Sequence, residues 1–99
     1  MRLTEMQRHS IKSVIANIVG EGSRVWLFGS RVDDVQRGGD IDLLIETDQV
    51  VSSRTKALCR IEGALAMELG DRKIDLLLKD AHTTDAPIFR AARQKGVLQ

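Results

Sequence analysis

The chain has 99 residues, 42% of them hydrophobic and 29% charged, with a formal net charge of +1. That size and balance describe one compact domain spanning residues 1–99 with a modest core, and they exclude a nucleic-acid binder held by bulk electrostatics. One cysteine and two histidines rule out a disulfide framework or a Cys/His metal cluster, so any metal site must use oxygen ligands, which favours magnesium or manganese.

Thr4 followed by Gln7 reads as a capping box, and Ile11, Val14, Ile15 and Ile18 recur behind it at helical spacing. The glycines at 20 and 22 predict the end of that helix. Arg24–Phe28 is an apolar strand candidate bounded by Gly29. Ser30 is placed to cap a short helix from Arg31 to about Gln36, which Gly38–Gly39 breaks. The second strand is read over 40–46, the next helix from Ser53 to Leu69 on a stripe of Leu58, Ile61, Leu65 and Leu69, and the third strand over 73–79. A last helix from about Asp85 to Lys95 has Pro87 in its first turn and Gly96 at its end. No apolar run reaches the length of a membrane span and no signal peptide is visible, so the expected compartment is the cytoplasm.

In the second strand, Ile41, Leu43 and Ile45 share one face, while Asp40, Asp42 and Leu44 share the other. In the third, Ile74, Leu76 and Leu78 share a face and leave Asp75 and Leu77 opposite. This alternation predicts an α+β domain: a small mixed sheet with helices packed on one face and a cleft carrying carboxylates on the other. Asp40 and Asp42, with alpha carbons about 6.6 Å apart, can converge on one cation or share two, and Asp75 on a neighbouring strand adds a third carboxylate. Gly29 and Ser30, between a strand and a helix start, suit a phosphate, which Arg31 could clamp. Arg37 offers a second cation from the same segment.

Each residue also has a structural reading. Asp40 can simply open a strand after Gly–Gly, Asp42 can pair with Arg31 or Lys73, and Asp75 can pair with Arg72 or Lys73. Cys59 is expected as a small core hydrophobe beside the helix stripe, Trp26 as core, His9 and His82 as bystanders, and Glu46, Asp48 and Asp80 as solvated strand ends.

The stretch from Gly29 to Ile45 followed by Lys73–Asp80 resembles the minimal nucleotidyltransferase family of the polymerase-beta-like superfamily. The resemblance covers residues 10 to 96 and rests on Gly29–Ser30, Asp40-x-Asp42 and the later Asp75. The chain departs from the family pattern after Arg31, where Val32, Asp33 and Asp34 stand in place of Ala-x-Gly, and before Asp40, where Gly39 replaces a common Ser. The resemblance implies that Asp40 and Asp42 ligate two magnesium ions, with manganese as a substitute. It implies that Asp75 is the third carboxylate and that Gly29 and Ser30, with Arg31, receive the phosphates of ATP. The implied reaction transfers a nucleoside monophosphate with release of pyrophosphate. With no additional domain expected for acceptor recognition, the resemblance further implies a HEPN-type toxin as partner. The chain would then be an antitoxin that adenylylates a toxin tyrosine. A catalytically inactive module that masks its partner, and a transferase acting on a small molecule such as an aminoglycoside, stay open as alternatives, as does a homodimer.

Overall fold

The computed structural model describes residues 3–28, 41–70 and 73–99. Helix α1 spans Glu5–Val19, β1 Arg24–Phe28, β2 Ile41–Glu46, α2 Arg54–Leu69, β3 Ile74–Lys79, α3 Pro87–Lys95 and β4 Val97–Leu98. The expected helix over Arg31–Gln36 lies outside the described residues.

α1 starts as its sequence dictates. The Thr4 hydroxyl accepts from the Gln7 amide at 3.0 Å, and the Gln7 side chain returns a bond to the Thr4 amide at 2.9 Å. The helix ends at Gly20, whose φ of +112° few side chains tolerate and where a Cβ would also collide with Gln49. α2 is capped by the Ser53 hydroxyl, which accepts from the Lys56 amide. Its buried positions are Ala57, Ile61, Leu65 and Leu69, with Leu58 partly covered. Cys59 is exposed, contrary to the expectation of a core cysteine. It lies two residues, about 200° of helix turn, beyond Ala57, and that rotation carries it to the outer surface.

The strands form one sheet in the order β3-β2-β1-β4. β1 is antiparallel to β2 and to β4, and β2 and β3 run parallel, joined through α2. β4 was not foreseen, since two residues are too short for a periodicity signal. It forms because Val97 and Leu98 pair with Leu27 and Trp26 as the chain leaves α3. α1 and α2 cover one face, packing Ile11, Ile15, Ile61 and Leu65 against Val25, Leu27, Ile41, Leu43, Ile45, Ile74 and Leu78.

The second face is not left open along its whole length, as the alternation suggested. α3 lies across it, placing Phe89 and Ala92 on Leu44, with Trp26, Phe28, Leu77 and Ala86 around them. Leu44 is fully buried there, a burial worth about 1.5–3 kcal/mol and enough to draw a helix onto that part of the sheet.

Candidate active site

The strand pairing arranges the second face in three rows. Arg24, Glu46 and Lys79 lie side by side at one end, Trp26, Leu44 and Leu77 in the middle, and Phe28, Asp42 and Asp75 at the other end. α3 covers the middle row, so the carboxylate row lies at the end of the sheet beyond the apolar cluster. The register is held by the Ile41 amide donating to the Lys73 carbonyl at 2.8 Å and the Thr47 amide donating to the Lys79 carbonyl at 3.0 Å. A one-residue slip of β3 would carry Asp75 to the face buried under α2, and Ile74 and Leu78 would lose their core positions.

Asp42 and Asp75 are thus in-register neighbours on adjacent parallel strands, with backbones about 4.8 Å apart. Asp42 is half-buried and Asp75 is exposed, so the pair faces solvent on one side and protein on the other. Two carboxylates this close repel each other unless a cation lies between or beside them. An oxygen-only donor pair with one exposed member fits a hard cation such as magnesium or manganese. Among the described residues no group of three metal-ligating side chains assembles, and these two are the sequence-predicted ligands that the fold brings together.

Asp40, Gly29, Ser30, Arg31 and Arg37 lie outside the described residues. The chain leaves β1 at Phe28, the cross-strand partner of Asp42, and returns in β2 at Ile41. Phe28 and Ile41, the described residues on either side of 29–40, both lie at the end of the sheet that carries Asp42 and Asp75.

Carboxylates at the opposite end are spoken for. Glu46, expected as a solvated strand end, is buried and is paired with Arg93 of α3 and, at 3.6 Å, with Arg24. Asp80, also expected in solvent, is 5% exposed. It accepts from the Val51 amide at 2.8 Å, the His82 amide at 3.0 Å and the Thr83 hydroxyl at 2.8 Å. Those bonds, the Val51 amide foremost, hold its pKa down to about 2. Asp80 is a structural clasp: it ties the loop entering α2 to the turn leaving β3, and Arg54 reinforces it by donating to the Leu78 carbonyl and to Thr83. Asp48 is exposed, as expected, although Arg24 reaches it at 3.2 Å. A cavity of about 520 Å³ lined by Arg8, His9, Lys12 and Ser13 of α1 lies away from the carboxylate row and includes none of its residues.

Phe28 was not singled out from sequence, yet it completes the row beside Asp42. Alternation along β1 carries the signal, because Trp26 and Phe28 share a face that Leu27 does not. Arg93 was missed as well; its partner Glu46 is 47 positions away, and only the packing of α3 brings the two together.

A mixed sheet flanked by helices, with paired carboxylates on adjacent parallel strands, defines a domain of the polymerase-beta-like nucleotidyltransferase fold. The chain matches the nucleotidyltransferase domain family over residues 10–91 and belongs to it. It carries a transferase catalytic domain. No curated protein matches the chain.

Proposed function

We propose that residues 1–99 form one minimal nucleotidyltransferase domain that moves AMP from ATP onto a hydroxyl of a partner protein. The acceptor in this reading is a tyrosine of a HEPN-type toxin, and the transferase acts as the antitoxin in the cytoplasm. No helix among the described residues is long and apolar enough to cross a membrane. The observation that carries the reading is the in-register pair Asp42 and Asp75 at the end of the sheet face beyond the α3 cluster.

Asp42 and Asp75, with Asp40 from the same strand approach, would hold magnesium. When bound, that metal would neutralise phosphate charge and lower the cost of ionising the acceptor hydroxyl. Gly29, Ser30 and Arg31 would receive the outer phosphates, through backbone amides and a guanidinium. Asp75, the exposed member of the pair, takes the hydroxyl proton and passes it to solvent. The hydroxyl oxygen forms a bond to the α-phosphorus as the bond from that phosphorus to the bridging oxygen breaks. Pyrophosphate leaves with the electron pair, and the acceptor retains AMP.

Incubation with labelled ATP, magnesium and a candidate HEPN protein tests this directly. Label should appear on the partner with the unaltered chain and fall to background with Asp42→Asn or Asp75→Asn. Label transfer that survives both substitutions would refute the chemistry, and partner neutralisation by Asp42→Asn at normal stoichiometry would favour simple masking.

A further inference from the structure

We propose that Arg93 is a positioning residue for the carboxylate row: by pinning α3 to the sheet it holds Phe28, and through Phe28 the pairing of Asp42, in place. The inference rests on the reading above and adds what keeps the proposed site in register.

Phe28 and Asp42 form the last rung of the β1–β2 ladder among the described residues. A terminal rung opens at little cost where few buried contacts hold it. Ile41, next to Asp42, is fixed from the opposite face by the core under α1 and α2. On the face of the carboxylates, the apolar support is the cluster under α3. Phe28 itself packs against that cluster, and so does Leu77, the same-face neighbour of Asp75. Leu44, the same-face neighbour of Asp42, is fully buried in it. Each of the three strands that build the row is therefore steadied by one small cluster.

α3 depends on its docking. Nine residues are too few for a helix to persist alone, and its N-cap position, Ala86, makes no side-chain bond. Phe89 and Ala92 are its buried residues. Arg93, in its last turn, supplies the remaining anchor. The guanidinium pairs with Glu46 of β2 and donates to both carboxylate oxygens of Asp85, at 3.0 and 3.2 Å. Asp85 stands just before the helix, so one side chain ties the start of α3 to its last turn and both to the sheet. Arg24 reaches Glu46 as well, at 3.6 Å, but it belongs to β1 and joins strand to strand. The planar fork of an arginine serves two carboxylates at once, which the point charge of a lysine does less well. Without Arg93, α3 loosens, Phe28 loses its cover, and the rung that carries Asp42 is freed. A displacement of about 1 Å at such a site lowers a rate by up to about 100-fold.

Trp26 is the only tryptophan of the chain and is half-buried in the α3 cluster, so its emission reports whether the helix is seated. In Arg93→Ala, at a temperature where the variant is folded, kcat/KM for transfer should fall about tenfold and magnesium–ATP affinity about fivefold. Trp26 emission should move to the red. Magnesium and ATP should draw it back towards that of the unaltered chain, because a ligand that needs the seated helix also favours it. Arg93→Lys should fall between the two, and it carries the same readouts if Arg93→Ala does not fold. Asp80→Ala weakens the fold at a clasp outside this cluster and should alter neither affinity nor emission. An Arg93→Ala chain that loses stability alone, as Asp80→Ala does, would overturn the proposal. So would a Trp26 shift that magnesium and ATP leave in place. If the unaltered chain binds magnesium–ATP but transfers no label, the transferase reading fails, while affinity and emission still decide the role of Arg93. An unaltered chain that binds no magnesium–ATP would overturn both.

Discussion

The two ends of the β2–β3 pair carry the same kind of side chain in opposite circumstances. At the end marked by Glu46 and Asp80, each carboxylate is buried and matched to fixed donors: Arg93 and Arg24 for Glu46, two amides and a hydroxyl for Asp80. At the other end Asp42 and Asp75 stand side by side, and Asp75 is exposed. The first arrangement stabilises a fold; the second sets two carboxylates in register, one of them exposed. An acidic residue at a strand end is therefore not informative by itself. What distinguishes the two ends here is burial and register: Asp80 and Glu46 are buried among fixed donors, whereas Asp75 is exposed beside a second carboxylate.

The sharpest way to break this comparison is to remove charge at each end and measure both activity and stability. Asp42→Asn and Asp75→Asn should each lower transfer about 100-fold or more, since metal charge stabilisation is worth several kcal/mol. Asp75→Asn should leave thermal stability within about 0.5 kcal/mol, because the residue is exposed. A large loss of stability with transfer retained would make Asp75 a structural residue.

Asp80→Ala should do the reverse, costing about 2–3 kcal/mol by leaving the Val51 and His82 amides without their acceptor. Chemical denaturation measures it. Arg93→Ala should cost about 2 kcal/mol, less than a fully buried pair because Arg24 still faces Glu46. For a domain this size that is a fall of roughly 10 °C in Tm.

Acid titration sharpens the same contrast. The folded-state pKa of Asp80 is lowered from 3.8 to about 2, so its bonds stabilise the fold fully above the unfolded value. That contribution, about 2 kcal/mol, is lost as pH falls from about 4 towards 2. Asp80→Asn should flatten this part of the stability profile, and an unchanged slope would mean that the clasp is not charged. The smallest effect belongs to Cys59→Ser, exposed on α2, which should change stability by less than about 0.5 kcal/mol.

Much of this was legible in the sequence because it depends on local signals. The capping box at Thr4, the period-two alternation through β2 and β3, and the apolar stripe of α2 each specify an element and the face it buries. The same alternation put Asp42 and Asp75 on one face before any pairing was known. What escaped depends on partners distant in the chain. Nothing near Asp80 announces that the Val51 amide will need it, and nothing near Leu44 announces that Phe89 will cover it. The burial of Glu46 likewise follows from where α3 lands, a tertiary outcome that no window around Glu46 contains. Trp26 was read as core and is half-buried in the α3 cluster, which agrees in kind.

A double-mutant cycle on transfer, comparing Asp42→Asn, Asp75→Asn and the two together, tests most directly whether these carboxylates serve one metal-binding unit. If they do, kcat/KM of the double variant should lie close to that of the slower single variant, since either loss already disables the shared site. Losses that multiply would show two residues acting independently and would contradict the account.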